Sequence, residues 1–334
     1  MWIGTQDGVV VKVLSLNKEF KVPFPEGLRV SNISSDKHGN IWISGQNKLF
    51  VCRLIDKEKG VFELSDNLLE KTSEVQVIND FTLYKENQIL LGTNKGLLQL
   101  TFKDFKKFEN IKISKTTRFT NIEEIVTCTK QIGNTLWIGT RKGIYKTSIN
   151  DNKLYILRNF NKDSYLVKNN YNNLYIKYIY EDIVGNIWFG TQKSGLFKYM
   201  PNLEKIDVFE NKIGDKGGLS SKIVNTLYED DYGVLWIGTG QGGLNKLNVL
   251  QKNFYSYQNH PFKKQSLSGN LTTAILEDNN GYLWVSTYNN TLCRSTTKIN
   301  EATVSNIKFQ DLRGRFPIGK NDIIRSIYQD SKFT

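Results

Sequence analysis

Apolar and polar residues along this chain fall into short runs that recur rather than into long stripes. The clearest run is Ile223-Val224-Asn225-Thr226-Leu227-Tyr228, rich in β-forming residues and ending at Glu229-Asp230. A polar turn, Asp231-Tyr232-Gly233, leads to a second apolar run, Leu235-Trp236-Ile237-Gly238-Thr239. Gly240-Gln241-Gly242 turns the chain again into Gly243–Leu247, and Phe254-Tyr255-Ser256-Tyr257 follows. Runs of four to eight residues punctuated by Gly and Asp predict four antiparallel strands. No capping signal leads into a sustained 3.6-residue period, so helix is not expected as a building element.

The second run is repeated along the chain. It stands at Trp2-Ile3-Gly4-Thr5, Ile41-Trp42-Ile43-Ser44, Leu90-Leu91-Gly92-Thr93, Leu136-Trp137-Ile138-Gly139-Thr140, Ile187-Trp188-Phe189-Gly190-Thr191, Leu235–Thr239 and Leu283-Trp284-Val285-Ser286-Thr287. Successive tryptophan positions (Trp2, Trp42, Leu90, Trp137, Trp188, Trp236, Trp284) are 40, 48, 47, 51, 48 and 48 residues apart. A period near 45 in units of four short strands predicts a propeller. Seven phrases predict seven four-stranded antiparallel blades in one all-β domain over residues 1–334. The stretch 321–330 reads as a first strand with no second strand behind it, and Trp2–Thr5 as a second strand with no first strand before it. Pairing of the N- and C-terminal strands therefore completes a blade and leaves no open sheet edge.

Within each unit Asp stands six residues before Trp and Gly three before it, as in Asp36/Gly39, Asp182/Gly185 and Asp278/Gly281. Asp binds turn amides with its side chain, and Gly takes positive φ without steric cost. The tryptophans, recurring at one place in every unit, are expected to be structural, packing between blades as large rigid rings. Repeats three and four depart from the pattern, with Leu90 in place of Trp and Gly133 one position early.

Composition changes this picture little. The 334 residues carry a formal charge of +12, with 39% hydrophobic and 23% charged residues, enough apolar content for a large core and too little charge for a disordered chain. The lysines are scattered, with short clusters such as Lys263-Lys264 and no basic helix, so nucleic acid is not expected as a partner. Cys52, Cys128 and Cys293 lie in different repeats without a CxxC pair and read as buried free thiols. No apolar run of about 18 residues is present. Met1 is followed at once by the repeat phrase, with no signal peptide, and the chain is expected to be part of a longer receptor.

Candidate chemistry is sparse. His38, in a hairpin turn and expected to be solvated, and His260, in an interblade loop, are the two histidines, and they form no Ser/His/Asp set. No catalytic residues, metal ligands or cofactor motif emerge. Ser34, Asp36 and Gly39 approach a sialidase turn but with the glycine one place late. Propeller ligands sit at the mouth of the central channel, where the inner strands begin. Counting back from Trp aligns Ser31, Asn79, Lys177, Asn225, Thr273 and Arg325 as a polar ring, interrupted by Val126. Lys177, Asn225 and Arg325, with Tyr175 as a stacking platform and with Asn79 and His260, form the predicted ligand-binding set. The loops add Tyr165, Tyr171, Phe262 and Phe316 as further aromatics.

Ser266-Leu267-Ser268, Glu277-Asp278, Gly281, Leu283-Trp284, Gly242-Gly243-Leu244 and Phe254 with Tyr257 together resemble the two-component regulator propeller repeat. The resemblance covers essentially the whole chain. It implies the periplasmic sensor of a Bacteroidetes hybrid two-component system, non-catalytic in itself, which detects oligosaccharide and signals to a histidine kinase that regulates carbohydrate-utilisation genes. It further implies an adjacent propeller, an immunoglobulin-like domain and a homodimeric full-length protein, and a ligand that is neutral or anionic. Two alternatives stand beside it: a protein-interaction scaffold propeller, and a propeller lyase or glycosidase.

Overall fold

The computed structural model describes residues 1–25, 27–70, 77–150, 153–171, 173–211, 218–248, 253–288, 291–299, 307–319 and 322–329. It is a seven-bladed β-propeller of four-stranded antiparallel sheets. Blade six follows the pattern of its sequence: Val224–Glu229, Val234–Thr239, Leu244–Asn248 and Asn253–Tyr257 pair in order. Blade two spans Asn32 to Leu64, blade three Ile78 to Phe119, blade four Val126 to Asn159, blade five Ile176 to Phe209 and blade seven Thr272 to Asp311. In blade one the strand order is Ser326–Tyr328, Trp2–Thr5, Gly8–Val13, Lys18–Lys21, so the C-terminal strand takes the innermost place. By its contacts the chain divides into two compact units, Met1–Ile176 and Lys177–Gln329, and the two are taken separately below. Among the described residues the one α-helix is Ser164–Lys168, capped by Asp163, whose side chain accepts from the backbone N–H of Tyr165 and Leu166.

The turn between the first two strands explains the Asp, Gly and Trp spacing together. In blades two, five, six and seven, Oδ1 of Asp36, Asp182, Asp230 and Asp278 accepts from the backbone N–H groups two and four residues on, at 2.7–3.2 Å. Oδ2 accepts the indole N–H of Trp42, Trp188, Trp236 and Trp284 at 2.7–2.9 Å. The carboxylate thus ties the turn to the ring that fills the blade core. Gly233, at φ +72°, closes the blade-six turn by donating its N–H to the Asp230 carbonyl, a conformation that costs glycine little.

All six tryptophans are buried, which removes a large apolar area from water, and the aspartate satisfies the indole N–H in blades two, five, six and seven. In blades four, five and seven a cation paired opposite on the third strand also covers the ring: Lys146 over Trp137, Lys198 over Trp188 and Arg294 over Trp284, at 5.2–5.7 Å. Leu90 substitutes within a cluster of Leu97, Phe119, Val126, Leu136 and Ile138.

The glycine of the phrase faces the next blade. A Cβ on Gly190 would stand 2.7 Å from Val224 Cγ1, and one on Gly139 would stand 2.7 Å from Ile176 Cγ2. The threonine that follows locks the next turn: Thr191 and Thr239 donate from Oγ1 to the carbonyls of Gly195 and Gly243 at 2.8 and 2.7 Å.

Cys52, Cys128 and Cys293 are free and buried. Burial pushes the Cys52 thiol up to about 12, with Glu63 adding to the effect, and raises the other two as well. His38 departs from expectation. It is half-buried, with Nε2 shielded from solvent, because the Asp36 turn holds its backbone N–H against the sheet end.

Candidate functional site

The polar ring at the start of the inner strands has a specific local origin. The pairing of first and second strand skips one residue in four blades: between Ile78 and Asp80, Val126 and Cys128, Val224 and Thr226, and Thr272 and Ala274. The skipped residues are Asn79, Thr127, Asn225 and Thr273. A bulge of this kind re-aims one side chain out of the sheet alternation.

These side chains reach the next inner strand. In the first unit, Ser31 Oγ donates to the Ile78 carbonyl at 3.1 Å, Asn79 Nδ2 to Val126 O at 2.7 Å and Thr127 Oγ1 to Ile176 O at 2.5 Å. In the second, Asn225 Nδ2 donates to Thr272 O at 2.9 Å and Thr273 Oγ1 to Ile324 O at 2.7 Å. Each bond staples one blade to its successor through a backbone acceptor.

The ring position in blade four is therefore Thr127, not Val126, and the polar series is not broken there. Val126 is buried and packs against the neighbouring blade, where a Cβ on Gly92 would meet its Cγ1 at 2.7 Å. Counting back from Trp137 misses by one because the blade-four turn is one residue shorter. Gln131 and Leu136 are partners there, against Glu229 and Leu235 in blade six. The early Gly133 was the visible sign of that deletion.

Blade five departs from the staple. Lys177 Nζ donates not to a backbone carbonyl but to the side-chain Oδ1 of Asn225, at 2.6 Å. Asn225 is thereby oriented by both of its amide atoms, accepting from Lys177 and donating to Thr272. Burial lowers the Lys177 ammonium pKa, and the positive charge of Arg325 lowers it further. Arg325, in blade one, is exposed. Two cations and an amide thus stand in the second unit at positions where other blades carry small hydroxyl or amide staples.

The remaining predicted residues do not gather there. Asn79 lies in the first unit, with its amide engaged by Val126. The Tyr175 ring is half-buried and carries the Arg141 guanidinium at 5.5 Å, so one of its faces is already covered. His260 is exposed on the loop after blade six, where Nδ1 accepts from the Phe262 N–H at 3.4 Å. Tyr165 and Phe262 are exposed, and Phe316 is buried edge-on against Trp284.

Counting residues missed Asp80. It sits directly after the ring residue of blade three, accepting from Asn32 Nδ2 at 2.6 Å and from the Thr129 N–H at 2.7 Å. Burial raises its carboxyl to about 6 against these hydrogen bonds. Its equivalents are Asn32, Cys128, Tyr178, Thr226, Ala274 and Ser326, so no recurrence marks it in the sequence.

Three segments, 170–193, 218–241 and 266–289, match the family described as two component regulator propeller. The match is confined to those three segments. The matched segments are the inner strand, Asp turn and Trp strand of blades five, six and seven, where the repeat grammar is most regular. Structurally, the chain is similar to the extracellular domain of a putative hybrid two component system from B. thetaiotaomicron, at 20% identity and TM-score 0.47. That match covers 99% of this chain and 46% of the other. It is also similar to that of a putative one component system from the same organism, at 17% identity and TM-score 0.47, over 91% and 48%. The chain spans about half the length of both. A streptogramin B lyase aligns at 15% identity and TM-score 0.58, over 89% of this chain and 87% of that one, a likeness of fold. No curated protein matches. Among the described residues no helix is long and apolar enough to cross a membrane.

Proposed function

We propose that this chain is the ligand-sensing propeller of a two-component receptor displayed outside the cytoplasm. Its ligand is an oligosaccharide held by Lys177, Asn225 and Arg325. The observation that carries this reading is the exchange of a staple for a cation in blade five. Lys177 bonds a side chain where its counterparts bond a backbone carbonyl, so a ligand atom can replace Asn225 as its acceptor without breaking a sheet. The regulator propeller repeats support the signalling role.

The chemistry suits a sugar. Lys177 and Arg325 supply several donors for hydroxyls, or for the carboxylate of an acidic sugar, and Asn225 supplies a donor and an acceptor. A ligand shifts a signalling equilibrium only through unequal affinity for its two states. A ligand that draws Lys177 away from Asn225 frees one end of the amide that ties blade six to blade seven, and so distinguishes two states of that seam. In this reading the propeller works beside a second propeller and an immunoglobulin-like domain in a dimeric receptor whose kinase regulates carbohydrate-utilisation genes.

The test is titration calorimetry of the chain with a panel of neutral and acidic oligosaccharides. Lys177→Ala and Arg325→Ala should each weaken the bound member at least about tenfold, the worth of one charge-assisted hydrogen bond, with melting temperature unchanged. Wild-type affinity in both variants would sink the assignment.

A further inference from the structure

A second site lies in the same unit on the outer edges of blades six and seven. The cleft encloses about 800 Å³ beside the outermost strands Asn253–Tyr257 and Phe309–Asp311. Its floor is Tyr257 and Phe309, edge to face at 6.1 Å. Its rim carries Lys263, Lys264 and Lys308, all exposed, together with His260. Among the described residues lining it there is no Asp or Glu.

The loop that presents these charges is pinned. Asn259 N–H donates to Asn270 Oδ1 at 2.6 Å and Asn259 Nδ2 to the Leu267 carbonyl at 2.7 Å. The Ser266 hydroxyl accepts from the His260 N–H at 3.0 Å, and the Lys263 N–H closes a turn onto the His260 carbonyl at 2.9 Å. The Phe309 N–H donates to the Gln265 carbonyl at 2.9 Å, so the Lys264–Gln265 segment lies against the strand that begins beside Lys308. The backbone thus carries the three lysines to one cleft.

Some lysines elsewhere are paired, as Lys12 with Glu19 at 2.9 Å and Lys205 with Asp207 at 2.9 Å. Among the described residues none of Lys263, Lys264 and Lys308 has a carboxylate partner. Like charges held together repel, and a concave wall focuses their field outward. His260 adds a donor: with Nδ1 accepting from the Phe262 N–H, Nε2 is the ring nitrogen that carries the imidazole N–H. The part-exposed Tyr257 offers an apolar face beneath the charges.

We infer that this cleft binds a small polyanion bearing two or more sulfate or phosphate groups, independently of the Lys177 site. Three ammonium donors and one imidazole N–H meet tetrahedral anions, each of which presents several acceptors. The part-exposed Tyr257 ring, backed by the buried Phe309, receives the carbon skeleton between them.

The experiment titrates the whole chain with a disulfated disaccharide, with tripolyphosphate and with the unsulfated disaccharide. Binding of either anion well above the neutral sugar, weakening as salt rises from about 0.05 M to about 0.5 M, is the expected result, and the tighter arm identifies the source of the anion. The double variant Lys264→Glu/Lys308→Glu changes two exposed side chains and should lose affinity at least about a hundredfold, tenfold for each charge-assisted contact. Its melting temperature should be unchanged. Lys222→Glu, an exposed lysine of the same unit outside the cleft, should leave this binding intact. The inference is overturned if neither anion exceeds the neutral sugar, if the double variant binds like wild type, or if Lys222→Glu weakens binding as much.

Discussion

Trp236 donates its indole N–H to Asp230 Oδ2 at 2.8 Å, while Asp230 Oδ1 accepts the N–H groups of Tyr232 and Val234 at 3.0 Å each. One buried carboxylate therefore serves the turn and the core at once. Replacing Trp236 by Ala should cost about 3–5 kcal/mol, the usual penalty for emptying a large aromatic site. Asp230→Ala strands three donors and should cost about 3 kcal/mol. The double variant should fall well short of the sum, because each change removes the same bond. Urea denaturation of the three variants checks this, and strict additivity would separate the turn from the core.

Gly190 lies against Val224 of the next blade, where an added Cβ would approach Val224 Cγ1 to 2.7 Å and its Cβ to 3.2 Å. Gly190→Ala should destabilise by about 1–3 kcal/mol through overpacking. Val224→Ala in the same chain should recover part of that loss, since the pair is in contact. A cycle measured by thermal unfolding decides it. Equal loss with and without Val224→Ala would place the strain elsewhere.

Asp80 gives the first unit a pH dependence. Burial raises its carboxyl to about 6, above the ordinary value of 3.8. A carboxyl raised on folding favours the folded state most when protonated. Its contribution is fully present below about pH 3.8 and is lost as pH rises through about 6, a change on the order of 3 kcal/mol. Asp80→Asn removes that titration. Stability plotted against pH for wild type minus variant should fall between about pH 4 and 6 and then level, as read by denaturant midpoints. A flat difference would show that the Asn32 and Thr129 hydrogen bonds fully offset burial.

Asn225→Ala should act on two seams at once. It removes the acceptor of Lys177 and the donor to Thr272, leaving a half-buried ammonium and a buried carbonyl, at a cost of about 2 kcal/mol. Asn225→Asp keeps an acceptor for Lys177 but loses the donor to Thr272, and should be the less damaging at low salt. The two midpoints compared at low and high ionic strength test the assignment.

The blade number and the Asp-Gly-Trp turns were legible because the repeat samples one geometry many times, so that a spacing common to Asp36, Asp182, Asp230 and Asp278 stands out from chance. The ring was legible only where the turn kept its length. Blade four lost one turn residue, and counting from Trp137 landed on Val126 instead of Thr127. Bulges themselves leave no mark in composition, since Asn79, Thr127, Asn225 and Thr273 share only a polar group. Asp80 was invisible for the opposite reason, being unique among seven equivalents. The basic cleft joins Lys263-Lys264 to Lys308 across two outer strands, and that proximity is a property of pairing, not of sequence distance.

The three sulfurs give the folded chain a quiet background. Cys52, Cys128 and Cys293 lie in blades two, four and seven, each shielded and each with its thiol raised, so a maleimide should find nothing to attack while the sheets are closed. A cysteine placed by design on the surface can then carry a single dye without first stripping the native ones. As denaturant rises, the order in which the buried sulfurs become alkylated reports which blade opens first, a built-in set of reporters in three different blades.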